Sequence, residues 1–200
     1  HLIFGLVADA TTSMLRNILA ANMVHDNFQE ETRKAMAMLA ADPRVIFLGK
    51  QVAYSGHAVF ESLADVPMDR RLEVPVFEDT QTGIATGLAL AGFIPVSIYP
   101  RLDFLVLGLN QLVNHLDKIP LMSCGQFKPK VILRTMVGGT KPLDPGPQHS
   151  QDHIRAIGLM LTTVVVSIIR TPEDVVPAYR QALPFPGSVL MIEAQGLNRG

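Results

Sequence analysis

Charge is what this sequence has least of. Of its 200 residues, 18% are Asp, Glu, Lys or Arg and 48% are hydrophobic, whereas ordinary soluble domains carry about 25% charged residues. The combination of low hydrophobicity and high net charge that marks disorder is therefore absent. With a formal net charge of −1, the chain lacks the electrostatic footprint of a nucleic-acid binder. A single cysteine, Cys124, excludes an internal disulfide and fits a reducing compartment. A long unbroken apolar run is missing too. The longest uncharged stretch, Thr80 to Pro100, reaches the ~20 residues that span a bilayer, but Gln81, Thr82, Thr86 and Ser97 interrupt it, and Gly92 and Pro95 break it. Leu2 to Val7 is too short for a secretory signal and has no basic flank. The expectation is a chain with no membrane and no nucleic-acid partner, long enough for one sizeable core.

What is present is a succession of short Val- and Ile-rich runs separated by helical patterns. Strands are expected at Val45–Leu48, Glu73–Phe77, Ile94–Tyr99, Val131–Thr135, Thr163–Ile168 and Val189–Glu193. Helices are expected at Phe28–Ala41, Thr80–Ala91, Phe104–Lys118 and Pro172–Ala182, the last with Pro177 counting against it. Strands that are continuously apolar, each followed by a helix, indicate a parallel sheet covered on both faces. The fold class that follows is α/β, doubly wound, with a mainly parallel sheet. Residues 1–26, with a weak helical pattern over Thr12–Met23, read as an N-terminal arm to a domain over 27–200. The Gly- and Pro-rich stretch Met136–Gln148 reads as a long irregular loop of the kind that carries function.

Four features bear on chemistry. Glu78 ends an expected strand and precedes a helix, where open parallel sheets bind ligands; position alone favours a role in capping that helix. Gly138-Gly139-Thr140-Lys141 lacks the Ser or Thr and the helix of a phosphate loop, and Pro142 follows it. His149 and His153 have a spacing that suits zinc on one helix face, without a third ligand or the zincin glutamate. Cys124 has no nearby histidine and reads as a small packed residue.

Taken together, Glu78-Asp79-Thr80-Gln81-Thr82-Gly83-Ile84-Ala85-Thr86-Gly87-Leu88-Ala89-Leu90-Ala91-Gly92 resembles the pyrimidine-binding domain of thiamine-diphosphate enzymes. The likeness is nearest to the beta subunit of the decarboxylating component of 2-oxo acid dehydrogenases. Three further blocks agree in order: Leu102-Asp103-Phe104 leading to Asn110-Gln111-Leu112-Val113-Asn114; Met122-Ser123-Cys124-Gly125-Gln126-Phe127; and Gly146-Pro147-Gln148-His149-Ser150-Gln151. Asp42-Pro43-Arg44-Val45 with Leu48-Gly49 matches the first strand, so the likeness runs from about Glu30 to Glu193.

The resemblance implies that Glu78 bonds N1′ of the aminopyrimidine, that Phe104 stacks on its ring, that Gln126 belongs to the cofactor-binding set, and that His149 handles protons on the substrate side. It implies thiamine diphosphate as cofactor and no metal ligand in this chain. The Gly-Asp-Gly and downstream Asn that hold magnesium and diphosphate are absent from the sequence, so Mg2+ would be held by a diphosphate-binding alpha-type partner. Association of the beta-type chain with itself is also implied, in the cytoplasm or a mitochondrial matrix. Two positions depart from the family pattern: Gly49-Lys50-Gln51-Val52 replaces Gly-Glu-Asp-Val, and Ile98 stands where an acidic residue is common. They keep open a non-catalytic subunit that retains the fold, beside a split-transketolase subunit.

Overall fold

The computed structural model describes residues 27–138 and 144–194; the proposed arm lies outside them. Six strands form one sheet in which every pairing is parallel: β1 Val45–Gly49, β2 Arg71–Glu73, β3 Ile94–Tyr99, β4 Ile132–Met136, β5 Val165–Ile169 and β6 Val189–Glu193, in the order β2-β1-β3-β4-β6-β5. The helices are α1 (27–40), α2 Ala58–Ser62, α3 Glu78–Leu90, α4 Leu102–Leu105, α5 Ile119–Met122, α6 Ile154–Met160 and α7 Pro172–Ala182. Alternate strand residues point to opposite faces. Val45, Phe47, Val96, Ile132 and Met191 join α1, α2 and α7 in one core, while Leu48, Tyr99, Leu133 and Leu190 join α3, α4 and α6 in the other. All six residues of β3 are buried, which is why the inner strands read as unbroken apolar runs. Among the described residues, no helix is long and apolar enough to cross a membrane.

The chain runs outward from β1 to β2, then back past β1 to β3. This reversal creates a crevice at the carboxyl ends of β1 and β3, the place where doubly wound sheets take ligands.

Three expectations need correction. The second strand is Arg71–Glu73, not Glu73–Phe77: Pro75 has no N–H for a ladder and Val76 is 70% exposed. Glu78 therefore begins α3 instead of ending a strand. The single helix expected over Phe104–Lys118 is a composite of α4, a 3-10 turn at Val106–Gly108 and a π-helical turn at Asn110–Leu116. The irregularity falls where Gly108 meets α3: a Cβ on Gly108 would stand 2.8 Å from Thr82 Oγ1 and 3.0 Å from the Glu78 carbonyl oxygen. The third correction concerns α2, α5 and α6, helices of at most seven residues that were not anticipated.

Asp117, fully buried just after the π-helical turn, fastens the approach to β5. Its carboxylate accepts from the backbone N–H of Thr162, Thr163 at 2.7 Å and Val164 at 2.8 Å, and from Lys118 Nζ at 2.6 Å. Burial alone would raise its pKa, but the Lys118 ammonium and the three amides outweigh that and hold it below the usual carboxylate value. A depressed folded pKa gives stability that is fully present above the unfolded value, about 3.9, and is lost as pH falls through the folded one. Asp117→Asn is accordingly expected to lower stability at pH 7 by about 1.5–3 kcal/mol and to flatten the loss of stability below pH 4. Urea melts at both pH values check this, and parallel pH dependences in the two proteins would contradict it.

Candidate functional site

Glu78, Phe104 and His149 lie toward the carboxyl ends of β1, β3 and β4; Gln126 and Cys124 do not. Glu78 is half-buried at the first position of α3. The N-cap is Phe77, which brings no side-chain hydrogen bond, so Glu78 and Asp79 complement the positive end of the helix from its first turn. Below them runs a chain of polar groups pointing one way. Gln81 Nε2 donates to Ser97 Oγ at 3.0 Å, Ser97 Oγ to Tyr99 Oη at 3.0 Å, and Thr82 Oγ1 to the Glu78 carbonyl oxygen at 2.9 Å. Tyr99 Oη lies 2.6 Å from Thr82 Oγ1 and donates to it, since the Thr82 proton is already committed. Burial pushes the Tyr99 phenol up to about 12, and the charges of Glu78 and Asp79 add to this, so it stays protonated as a donor. The chain ends on the backbone of Glu78, and Gly108 closes over its last link.

Across the crevice, Phe104 of α4 meets the His149 imidazole edge to face, with ring centroids 5.3 Å apart and planes at 66°. His149 ends a 3-10 turn, Pro147–His149. Arg101 Nη1 donates to its carbonyl oxygen at 2.8 Å. Gly138, after β4, makes room for this bond: a Cβ there would displace Arg101 Nη1 and approach the His149 carbonyl oxygen to 3.0 Å. Asp103 Oδ1 accepts from the backbone and side-chain N–H groups of Gln151 at 3.3 and 3.2 Å.

Among the described residues, three buried side-chain atoms have no hydrogen-bond partner: Asp103 Oδ2, Thr135 Oγ1 and His149 Nδ1. All three belong to this end of the sheet; Thr135 is the β4 partner of Tyr99 in register. An unsatisfied buried polar atom costs about 1–3 kcal/mol, so such a group of them marks a place for a polar ligand or water. A half-buried carboxylate, an aromatic ring and unpaired polar atoms suit a flat heteroaromatic group with hydrogen-bonding edges.

Gln126 lies elsewhere. It is exposed in the turn between α5 and β4, and so precedes the amino end of β4. In a parallel sheet that end lies opposite the crevice, so Gln126 does not join Glu78, Phe104 and His149. His153 is the N-cap of α6 and shares no helical face with His149. Among the described residues, no group of three or more His, Cys, Asp or Glu could hold a metal ion. Cys124 is exposed, not packed, and takes a left-handed φ of 51° in the same turn. Of the glycine-lysine segment only Gly138 is described.

The two departures from the family pattern also have structural places. Ile98 is buried in the core shared with α1 and α7. Lys50 leads a loop whose amides, Gln51 and Val52 at 2.8 Å and Ala53 at 3.0 Å, all donate to the Glu73 carboxylate, with Lys50 Nζ at 3.3 Å. Arg101, Asp103 and Thr135 were not anticipated as site residues. The one available signal was polarity at the ends of otherwise apolar strands.

Comparison with known proteins bears on the family and the fold. The family model described as transketolase, pyrimidine binding domain, matches residues 27–199. The beta subunit of 3-methyl-2-oxobutanoate dehydrogenase from Mycobacterium tuberculosis is 32% identical over 159 residues, 78% of this chain and 44% of that protein. The chloroplastic pyruvate dehydrogenase E1 component subunit beta-2 of Arabidopsis thaliana is 31% identical over 72% of this chain and 34% of its own length. The chain thus spans less than half the length of these relatives. Among solved structures, a split-gene transketolase described as an inactive beta4 tetramer superposes with a TM-score of 0.64 at 16% identity, covering 84% of this chain and 50% of that one. Transketolase from Leishmania mexicana superposes with a TM-score of 0.57, also at 16% identity, over 83% of this chain and 25% of its own. At such identity these two speak for the fold alone.

Proposed function

Because the chain belongs to the transketolase pyrimidine-binding domain family, we propose that it supplies the pyrimidine half of a thiamine-diphosphate site in an enzyme that decarboxylates a 2-oxo acid. The observation that carries this reading is the convergence of Glu78, Phe104 and His149 on one crevice, with the Phe104 and His149 rings 5.3 Å apart. Thiamine diphosphate, held on its pyrimidine side by Glu78 and Phe104, would supply a thiazolium carbon that becomes nucleophilic on losing its proton. Glu78 holds a proton at the aminopyrimidine ring nitrogen, Phe104 offers its ring to the heterocycle, and His149 exchanges a proton at the substrate carbonyl. On this reading magnesium and diphosphate fall to an alpha-type partner, the beta-type chain also associates with itself, and the assembly works in the cytoplasm or, in a eukaryote, the mitochondrial matrix. A split-transketolase subunit is the second reading, favoured by the description of the matching family model as transketolase.

The test is to co-purify the chain with a diphosphate-binding subunit and follow the consumption of pyruvate and branched 2-oxo acids with an artificial electron acceptor. Consumption that requires both thiamine diphosphate and Mg2+ is the expected result. Ketol transfer between sugar phosphates instead would select the second reading, and a complex that neither binds the cofactor by calorimetry nor turns over any of these would overturn both.

A further inference from the structure

His149 sits on a segment with little to hold it. Pro147–His149 is one 3-10 turn, and its own bonds are local: Gly146 N–H donates to Asp144 Oδ1 at 2.8 Å and Ser150 Oγ to the Gly146 carbonyl oxygen at 3.0 Å. The side-chain bonds that tie it to the rest of the fold come from two residues of one short stretch. Arg101 reaches the carbonyl of His149 itself, and Asp103 takes both N–H groups of Gln151, two positions on. Arg101 is the N-cap residue of α4 and Asp103 lies in its first turn, with Phe104 next in sequence. The stretch that presents the aromatic ring therefore also grips the chain at the imidazole's own residue and two positions beyond it. Gly138, two residues past β4, lies against the Arg101 guanidinium, which a side chain there would displace.

We propose that Arg101 and Asp103 are positioning residues that form a two-point latch, fixing the His149 imidazole against Phe104. Asp103 uses Oδ1 for the latch and keeps Oδ2, like His149 Nδ1, buried without a partner among the described residues, so the latch closes beside polar atoms free to meet a ligand's polar edge. The catalytic meaning of the latch rests on the proton-handling role proposed for His149; its existence does not.

The test uses the labelled 200-residue chain, with the His149 ring signals picked out among six histidines by their loss in His149→Gln. In Arg101→Met and Asp103→Ala the nuclear Overhauser contacts between the His149 and Phe104 rings are expected to disappear and the ring-current shift of His149 to fall by at least half. Asp103→Asn, which keeps an acceptor oxygen, is expected to preserve both. Contacts and shifts identical to the parent in Arg101→Met and Asp103→Ala would overturn the latch. Should either variant not fold, hydrogen exchange of the parent decides: the Gln151 amide is expected to be protected, and exchange at the free-peptide rate would refute the bond to Asp103. In the assembled enzyme, Asp103→Ala is expected to lower kcat about tenfold at unchanged KM and to alter the pH–rate profile. If His149→Gln turns over at the parent rate while the ring contacts vanish as described, the functional reading fails and the latch stands.

Discussion

Glu78→Gln is expected to lower turnover of the assembled complex by about 10²–10⁴-fold, the range for loss of a positioned proton-transfer group. Glutamine keeps the size of the side chain, and the bond from Thr82 Oγ1 goes to the backbone oxygen of residue 78, so the first turn of α3 stays in place. What is lost is a group able to take and return a proton. The cost to the fold is confined to one negative charge at the helix N-terminus, about 0.3–1 kcal/mol, because Asp79 remains. Asp79→Asn is the matched control, removing the same charge one position on and leaving the rate within about threefold by this argument. Initial rates with a 2-oxo acid, together with the mass of the complex, check the prediction. Full turnover by Glu78→Gln would remove Glu78 from the chemistry and favour the non-catalytic reading raised by Lys50 and Ile98.

The largest effect on stability is expected at Glu193. Its carboxylate, at the end of β6, accepts from Arg134 Nε at 2.8 Å and Nη2 at 3.2 Å and from Tyr179 Oη at 2.8 Å, while Arg134 Nη1 reaches Ser62 Oγ at 2.7 Å. Arg134 and Glu193 are each 2% exposed, and the group joins β4, β6, α7 and α2 within an otherwise apolar core. Burial, with the Glu193 charge, drives the Tyr179 pKa well above its ordinary value, so the phenol stays a donor. Glu193→Ala leaves a buried guanidinium without its counter-charge, a change that costs about 3–5 kcal/mol, a large part of the ~5–15 kcal/mol that holds a domain folded. Arg134→Met combined with Glu193→Leu removes both charges and is expected to be more stable than Glu193→Ala alone. Urea midpoints of the three proteins settle the order. A loss under ~1 kcal/mol in Glu193→Ala would show that the pair contributes little.

The strands with neighbours on both faces were legible in advance. β3 and β6 coincide residue for residue with the apolar runs Ile94–Tyr99 and Val189–Glu193, and α7 coincides with its expected span despite Pro177. β2 was misplaced because it is a three-residue edge strand with Leu72 43% exposed, whereas the more apolar Val74–Phe77 contains a proline that no ladder accepts. The break in the helix after Phe104 depends on the contact of Gly108 with Thr82 and Glu78, a long-range fit that periodicity does not carry. In the candidate site, Glu78, Phe104 and His149 were picked out through spaced blocks shared with a family. Gln126 belonged to such a block too, but its block lies at the other end of the sheet. Arg101, Asp103 and Thr135 are single polar residues at element ends, and no pattern of spacing distinguishes them from solvated ones.

The strand order also sets a timetable for synthesis. β2, β1, β3 and β4 are mutual neighbours, so their pairing can be complete once Met136 has left the ribosome. β5 has β6 as its one neighbour in the sheet, and β6 is made about 20 residues later, a wait of roughly 1–4 s at 5–20 residues per second. Throughout that interval both β4 and β5 present unpaired edges rich in Val, Ile and Leu, the templates for mispairing between chains. A chain paused between Ile169 and Val189 is therefore at its most adhesive, and a chaperone acting on this protein during translation has its clearest target there.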